Sequence, residues 1–308
     1  MSKLSVIVPS RNEPYLTKTI NDILVKATGD IEVIVVLDGW KPDPPLKDDP
    51  RVKVVRHEES LGMRHAINSA AAVAQGEFIM KCDAHVMFGE GFDEILARDC
   101  EYDWTVVPSR YSLDADNWER SYGPIQYLYL TWPFVNDKQF GEGLHGKKHL
   151  GENGLGGLGK NDYYWMERQR AGIPIDDIMT WQGSCWFMHR QRFLDLGTMD
   201  TRFYNVYQEA QELGFKTWLS GGRLVVDKNT WMAHWHKGAG TQPDYGLSRK
   251  RKHENARLST RYWMTDQWPG ATRTIKWFVE KFWPIPGWPE DWEARIEREY
   301  AECPASTA

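Results

Sequence analysis

Hydrophobic and polar positions in the first ninety or so residues alternate between two periods. Residues 4–9 form a continuous β-rich run closed by Pro9, the pattern of a strand buried on both faces. The polar stretch Ser10-Arg11-Asn12-Glu13 follows. Pro14 then suits a first helical turn, Leu16, Ile20, Ile23 and Leu24 recur at helical spacing, and Gly29 stops the helix. Residues 31–37 form a second apolar run that ends at Asp38-Gly39. This strand, helix and strand predict a right-handed βαβ unit, whose ligand sits beyond the carboxyl ends of the strands, where both polar loops fall.

The alternation continues. A Pro- and Asp-rich connection, residues 42–50, leads to a third strand at 52–55. Ser60-Leu61-Gly62-Met63-Arg64 opens a second helix, with Ala66, Ile67, Ala70 and Ala71 on its packing face and Gly76 at its end. Residues 78–80 then form a short buried strand that runs out into Asp83-Ala84-His85. Positions i and i+2 of an extended segment point the same way, so a carboxylate and an imidazole can converge there on one ion. Taken alone, such a triplet reads equally as a turn with an ordinary polar histidine. Its place at the mouth of an alternating α/β sheet favours the metal reading. Residues 105–108 predict another strand, and residues 141–160, with eight glycines, predict a loop over or beside the site. That loop lacks the order of a phosphate-binding G-x-x-x-x-G-K-[ST].

Composition narrows the class. At 308 residues and 41% hydrophobic, the chain is a globular protein with a sizeable core. Its 38 Lys+Arg against 43 Asp+Glu, net −5, argue against a surface given over to nucleic acid. Cys82, Cys100, Cys185 and Cys303 show neither C-x-x-C spacing nor a disulfide framework. No run approaches the ~20 apolar residues needed to span a bilayer. With the first strand so near the initiator Met, the expectation is a soluble, cytoplasmic protein.

Further chemistry lies downstream. Glu209 and Glu212 share a helix face near its start, a spacing also served by capping and solubility. If 231–236 is extended, Met232, His234 and His236 share one face, so either histidine is a metal candidate; the alternative is a hydrogen-bonded histidine between core tryptophans. Residues 237–255 combine glycines with Arg249-Lys250-Arg251-Lys252-His253 and predict a lid. A helix is expected over 257–268. The Trp- and Pro-rich remainder, residues 266–308, is expected to pack on a catalytic domain spanning 1–265.

These residues resemble a known group. Ser5-Val6-Ile7-Val8-Pro9-Ser10-Arg11-Asn12-Glu13 and the Asp38-Gly39 strand end look like family 2 glycosyltransferases of the GT-A fold. The likeness is closer to the catalytic domain of polypeptide N-acetylgalactosaminyltransferases, whose metal motif is Asp-x-His. It runs through Gly62-Met63-Arg64-His65-Ala66, Cys82-Asp83-Ala84-His85, Thr180-Trp181-Gln182-Gly183-Ser184-Cys185, Leu196-Gly197-Thr198-Met199-Asp200 and residues 209–218, covering about residues 4–265. It implies a Rossmann-like nucleotide-sugar-binding fold with a mixed, mainly parallel central sheet flanked by helices. It also implies a UDP-sugar donor, a hydroxyl acceptor, and Mn2+ or Mg2+ held by Asp83, His85 and His234, with His236 at the start of a closing loop. Pro9, Arg11, Glu13, Asp38, Gly62, Arg64 and Trp181 would line the nucleotide-sugar site, Asp38 at the base. Glu209 would lie on the sugar and acceptor side of a retaining enzyme, or act as general base of an inverting one.

Other readings compete. A sugar-nucleotide pyrophosphorylase should carry a Gly-rich loop after the first strand, which this chain lacks. A carbohydrate-binding module explains the aromatics but not a metal triplet beside a nucleotide crevice. A DNA-modifying glycosyltransferase acting on hydroxymethylated bases would use Arg249 to Lys252 on phosphates, a role that competes with clamping the donor diphosphate.

Overall fold

The computed structural model describes residues 3–135, 142–148, 170–203, 208–236 and 249–302. In chain order the strands and helices are β1 (Leu4–Ser10), α1 (Leu16–Lys26), β2 (Ile31–Asp38), β3 (Val52–His57), α2 (Met63–Val73), β4 (Phe78–Cys82), β5 (Val86–Phe88), α3 (Phe92–Asp99) and β6 (Trp104–Asp114). There follow β7 (Glu119–Arg120), β8 (Leu128–Leu130), β9 (Gly146–Lys148), β10 (Ile175–Asp177), β11 (Cys185–His189), α4 (Arg190–Asp195), α5 (Glu209–Leu219) and β12 (Arg223–His234). Helices α6 (Arg249–Met264), α7 (Ile275–Lys281) and α8 (Trp292–Glu302) complete the described chain.

The main sheet runs β3-β2-β1-β4-β11-β6-β12-β10. Strands β3, β2, β1 and β4 are parallel neighbours, β11 is antiparallel to both β4 and β6, and β12 is parallel to β6. Two reversals across β11 restore the direction, so β1, β2, β4 and β12 all end at one edge. The period-2 alternation of side chains splits the core in two. Leu4, Val6, Val8, Val33, Val35 and Met80 face α1 and α3, while Ile7, Ile34, Val36 and Ile79 face α2, α5 and the carboxyl-terminal helices. Both faces are covered, which is why these strands read as continuous apolar runs. The small face of α2 (Ala66, Ala70, Ala71) lets it lie close on the sheet.

The tryptophan-rich end joins the second core. Trp288, Trp292 and Ile296 share one cluster with Phe215 and Trp218, and the Trp288 indole donates to the Leu130 carbonyl at 2.8 Å. Helix α6 begins at Arg249, earlier than the expected 257, and ends at Met264. Its first turns carry an i,i+4 pair, Lys250 to Glu254 at 3.9 Å, and its buried stripe runs through Asn255, Ala256, Ser259, Thr260 and Trp263. The end of the expected lid is thus helical, and residues 237–248 lie outside the described residues, as do 149–160 of the glycine-rich segment.

Two polar devices lock α2 in place. At the carboxyl end of β2, the Asp38 carboxylate accepts from His57 Nδ1 (2.8 Å), Ser60 Oγ (2.7 Å), the Leu61 amide (2.8 Å) and the Gly62 amide (3.0 Å). Gly62 turns the chain into α2 at φ +93°, a conformation open mainly to glycine. Deeper, Glu212 of α5 has no exposed surface and bonds Arg64 of α2; its other oxygen accepts from Lys216 Nζ and the Asp200 amide, both at 2.7 Å. Such a network is stable only while every charge is matched.

Glu212→Ala strands Arg64 and Lys216 in the core and should cost roughly 3–5 kcal/mol in urea unfolding; a loss below about 1 kcal/mol would show that the network carries little. For Asp38, burial raises the carboxyl, but the His57, Leu61, Ser60 and Gly62 donors outweigh it and hold it below the ordinary aspartate range. Its stabilisation is therefore complete above the unfolded pKa of about 3.9 and is lost as pH falls through the lower folded value. The stability gap between wild type and Asp38→Asn should be about 1.5–3 kcal/mol at pH 7 and close on acidification through that window; a pH-independent gap contradicts this.

Candidate active site

The edge where β1, β2, β4 and β12 end gathers the chemistry. Strand β4 leaves the sheet with its pairing prolonged, the Asp83 amide donating to the Ser184 carbonyl at 2.8 Å. Lys81 and Asp83, two apart, therefore point to the same side, while Cys82 faces the core beside Cys185. Strand β5 runs antiparallel to β12 with Val86 opposite His234, and the Trp235 amide donates to the His85 carbonyl at 3.1 Å. Two segments remote in sequence thus bring His85 and His234 together.

The ligand atoms of Asp83, His85 and His234 lie within 4.8 Å of one another. His234 Nε2 is 3.1 Å from both Asp83 Oδ2 and His85 Nε2, and His85 Nε2 is 3.9 Å from Asp83 Oδ2. Glu13 faces His85 Nδ1 at 2.9 Å; a proton held there leaves the Nε2 lone pair directed at His234 and Asp83. Burial pushes His234 down to about 3, against the pull of Asp83, so its imidazole is neutral at physiological pH. Burial also opposes the charge on Asp83, but Lys81 and the His234 hydrogen bond hold its carboxyl well below the ordinary range. The Asp83 carboxylate and the neutral His234 imidazole are already in the protonation states that a divalent ion requires, and the donor set of one carboxylate and two imidazoles fits Mn2+ or Mg2+ completed by oxygen ligands.

Beside the triad opens a cleft of about 220 Å3, with Lys81, Asp83, Trp181, Gly183, Gln208 and Glu209 on its walls. Glu209 is half-buried at the start of α5. Burial raises its carboxyl above the ordinary value, with Arg64 and Lys81 pulling it partly back. Gln208, immediately before it, adopts a left-handed φ of +82°, rare for a residue with a side chain and characteristic of a constrained functional turn. Its Nε2 donates to the Leu144 carbonyl at 3.2 Å, while its Oε1 is buried and without a hydrogen-bond partner among the described residues.

The other expected site residues are distributed unevenly. Pro9 is buried within β1, paired with Val36. Arg11 donates to the Asp38 backbone carbonyl at 3.0 Å, and Asp38 and Gly62 are engaged in the loop lock. Arg64, expected at the nucleotide, is 1% exposed and turned inward to Glu212. Glu212 belongs to this buried network, which removes a solubility role. Trp181 is buried and lines the cleft. His236 lies past the end of β12, its Nε2 3.1 Å from Arg110, outside the triad. Sequence reasoning assigned no role to Lys81. Its signal was available: a lone charge in an otherwise apolar strand, two residues before the metal-type aspartate.

Comparison with known proteins agrees with this geometry. The model of glycosyl transferase family 2 matches residues 5–149. Polypeptide N-acetylgalactosaminyltransferase 5 of Caenorhabditis elegans is 28% identical over 241 residues, covering 73% of this chain and 36% of its own. Glycosyltransferase GlyG of Streptococcus pneumoniae is 34% identical over 140 residues, covering 42% of this chain and 45% of its own. The chain therefore spans less than half the length of these relatives. A crystal structure of GalNAc-T7 with UDP, GalNAc and Mn2+ superposes with a TM-score of 0.67 over 91% of this chain and 57% of that one, at 17% identity, a likeness of fold. The chain carries a glycosyltransferase family 2 domain of the GT-A fold and is a homologue of the catalytic domains of polypeptide N-acetylgalactosaminyltransferases.

Proposed function

We propose that this chain is a metal-dependent glycosyltransferase that moves a sugar from a UDP-sugar to a hydroxyl acceptor. The observation that carries the reading is the convergence of Asp83, His85 and His234 on one point, with Asp83 on the wall of the cleft that Glu209 also lines. These three side chains would hold Mn2+ or Mg2+. When bound, the ion supplies positive charge to the diphosphate leaving group. Glu13 sets the tautomer of His85, and the edge loops around Arg11 and Asp38 frame the nucleotide end.

The protein's own contribution is positional. Glu209 lines the same cleft as the triad's carboxylate, where it orients the transferred sugar or the acceptor hydroxyl. In a retaining reaction the acceptor enters on the leaving-group side and its proton passes to the departing phosphate, so Glu209 takes no proton. One observation favours the inverting alternative: burial raises the Glu209 carboxyl, which makes it a better proton acceptor near neutral pH. The resemblance to retaining enzymes supports retention, and proton NMR of the fresh product distinguishes the two, since a β-linkage from an α-donor reverses the assignment.

The donor sugar is UDP-GalNAc, UDP-GlcNAc or UDP-glucose by class, and the acceptor a glycan, small molecule or protein hydroxyl. A DNA acceptor has no support from the relatives or the described residues. No helix among the described residues is long and apolar enough to cross a membrane.

Calorimetry of UDP binding tests the donor site. UDP affinity should fall at least tenfold on chelation of divalent ions, and by a similar factor in His85→Ala and His234→Ala. Glu13→Gln, which alters the partner of His85 Nδ1 on the side of the ring away from the triad, should weaken Mn2+ binding by about 10–100-fold. UDP affinity indifferent to chelation and to both histidine substitutions would take the metal out of the mechanism.

A further inference from the structure

We propose that Lys81 is a built-in cation of the donor site: it competes with the divalent ion for Asp83 and binds the donor's diphosphate. The inference rests on the donor-site reading above and adds a residue to it.

Lys81 is the one charged residue of β4, between Met80 and Cys82, and is 2% exposed. Removing an ammonium from water costs several kcal/mol, and an apolar residue of similar volume at such a place is often neutral or stabilising. The fold alone gives no reason for a lysine in this strand. What Lys81 touches gives one. Its Nζ donates to Asp83 Oδ1 at 2.5 Å and to the Gly183 carbonyl at 3.0 Å, and Lys81 lines the cleft together with Asp83 and Glu209. Gly183 presents that carbonyl from a backbone with φ +89°.

Two consequences follow. The first is geometric: with Oδ1 engaged by Lys81, Asp83 turns Oδ2 toward His234 Nε2, 3.1 Å away, and offers one oxygen to an ion. The second is electrostatic. Among the described residues, the charges near the triad include the carboxylates of Asp83, Glu13 and Glu209 and the cations Lys81 and Arg110, the latter beside His236. Lys81 is, among the described residues, a cation in direct contact with a triad ligand, so it repels an incoming divalent ion and attracts an incoming diphosphate. An ammonium has three donors, and two are committed to Asp83 and Gly183. The third is available to a phosphate oxygen entering the cleft. Lys81 thus supplies part of the charge that the ion supplies, and gives the anion a foothold before the ion arrives.

The test separates this role from simple structural support, because it predicts changes of opposite sign. Mn2+ and UDP are titrated separately by calorimetry into wild type, Lys81→Met and Lys81→Arg, the UDP arm with chelator present. Lys81→Met should bind Mn2+ several-fold more tightly and metal-free UDP at least tenfold more weakly; Lys81→Arg should restore much of the UDP affinity. A variant in which both affinities fall together, or neither moves, overturns the proposal while leaving the donor site intact. Should Lys81→Met fail to fold, the wild type decides: in chelator it should bind UDP at least tenfold more tightly than uridine, and equal affinities overturn the role of Lys81. Wild type that binds neither Mn2+ nor UDP brings down the donor-site reading and this inference with it.

Discussion

A carboxylate and an ammonium share the last turn-out of a buried strand, and the site is arranged around keeping both charged. Asp83 stands where burial penalises charge, and Lys81, His234 and His85 surround it. Every partner must be in position for the charge to persist, because a buried ion without its counterparts is far more costly than a buried pair. That requirement fixes the rotamers of four side chains from two strand ends. It also leaves one oxygen and two imidazole nitrogens facing a common point, an arrangement that a divalent ion can use without reorganising the protein.

The sheet makes this possible through direction and order. The antiparallel β11 between β4 and β6 lets β12 run the same way as β4, so His234 reaches the edge where Asp83 emerges. Short β5 then doubles back on β12 and fixes His85 beside it. On the other side of the cleft, the Arg64–Glu212 contact joins α2 to α5, and α5 carries Glu209. The charged network in the core and the open cleft at the edge are therefore mechanically linked: the helix that presents Glu209 is held by the same residue, Glu212, that neutralises Arg64.

Much of this was legible in the chain. Strands buried on both faces produce continuous apolar runs, so β1, β2 and β4 and the Asp83-Ala84-His85 exit are visible without a structure, and the βαβ rule places their loops at the ligand edge. What could not be read depends on partners far away. The contact between His85 and His234 spans 149 positions and the Arg64–Glu212 pair 148, so no local pattern reveals that the histidine pair converges or that this guanidinium turns inward. Asp38 illustrates the same limit: a strand-end aspartate suggests a ligand contact, but its oxygens are taken by His57 and the 60–62 loop. The basic run at 249–252 reads as a loop by composition, whereas its continuation into a buried stripe makes it the start of α6.

Asp83, His85 and His234 are proposed to form one metal centre at the donor cleft. Crystals grown with Mn2+ and UDP, measured for anomalous scattering at the manganese edge, test it directly. A single peak in contact with Asp83 Oδ2, His85 Nε2, His234 Nε2 and the UDP diphosphate is expected. A fully occupied UDP with no peak at the triad, or manganese held elsewhere with the two histidines still facing each other, would contradict it.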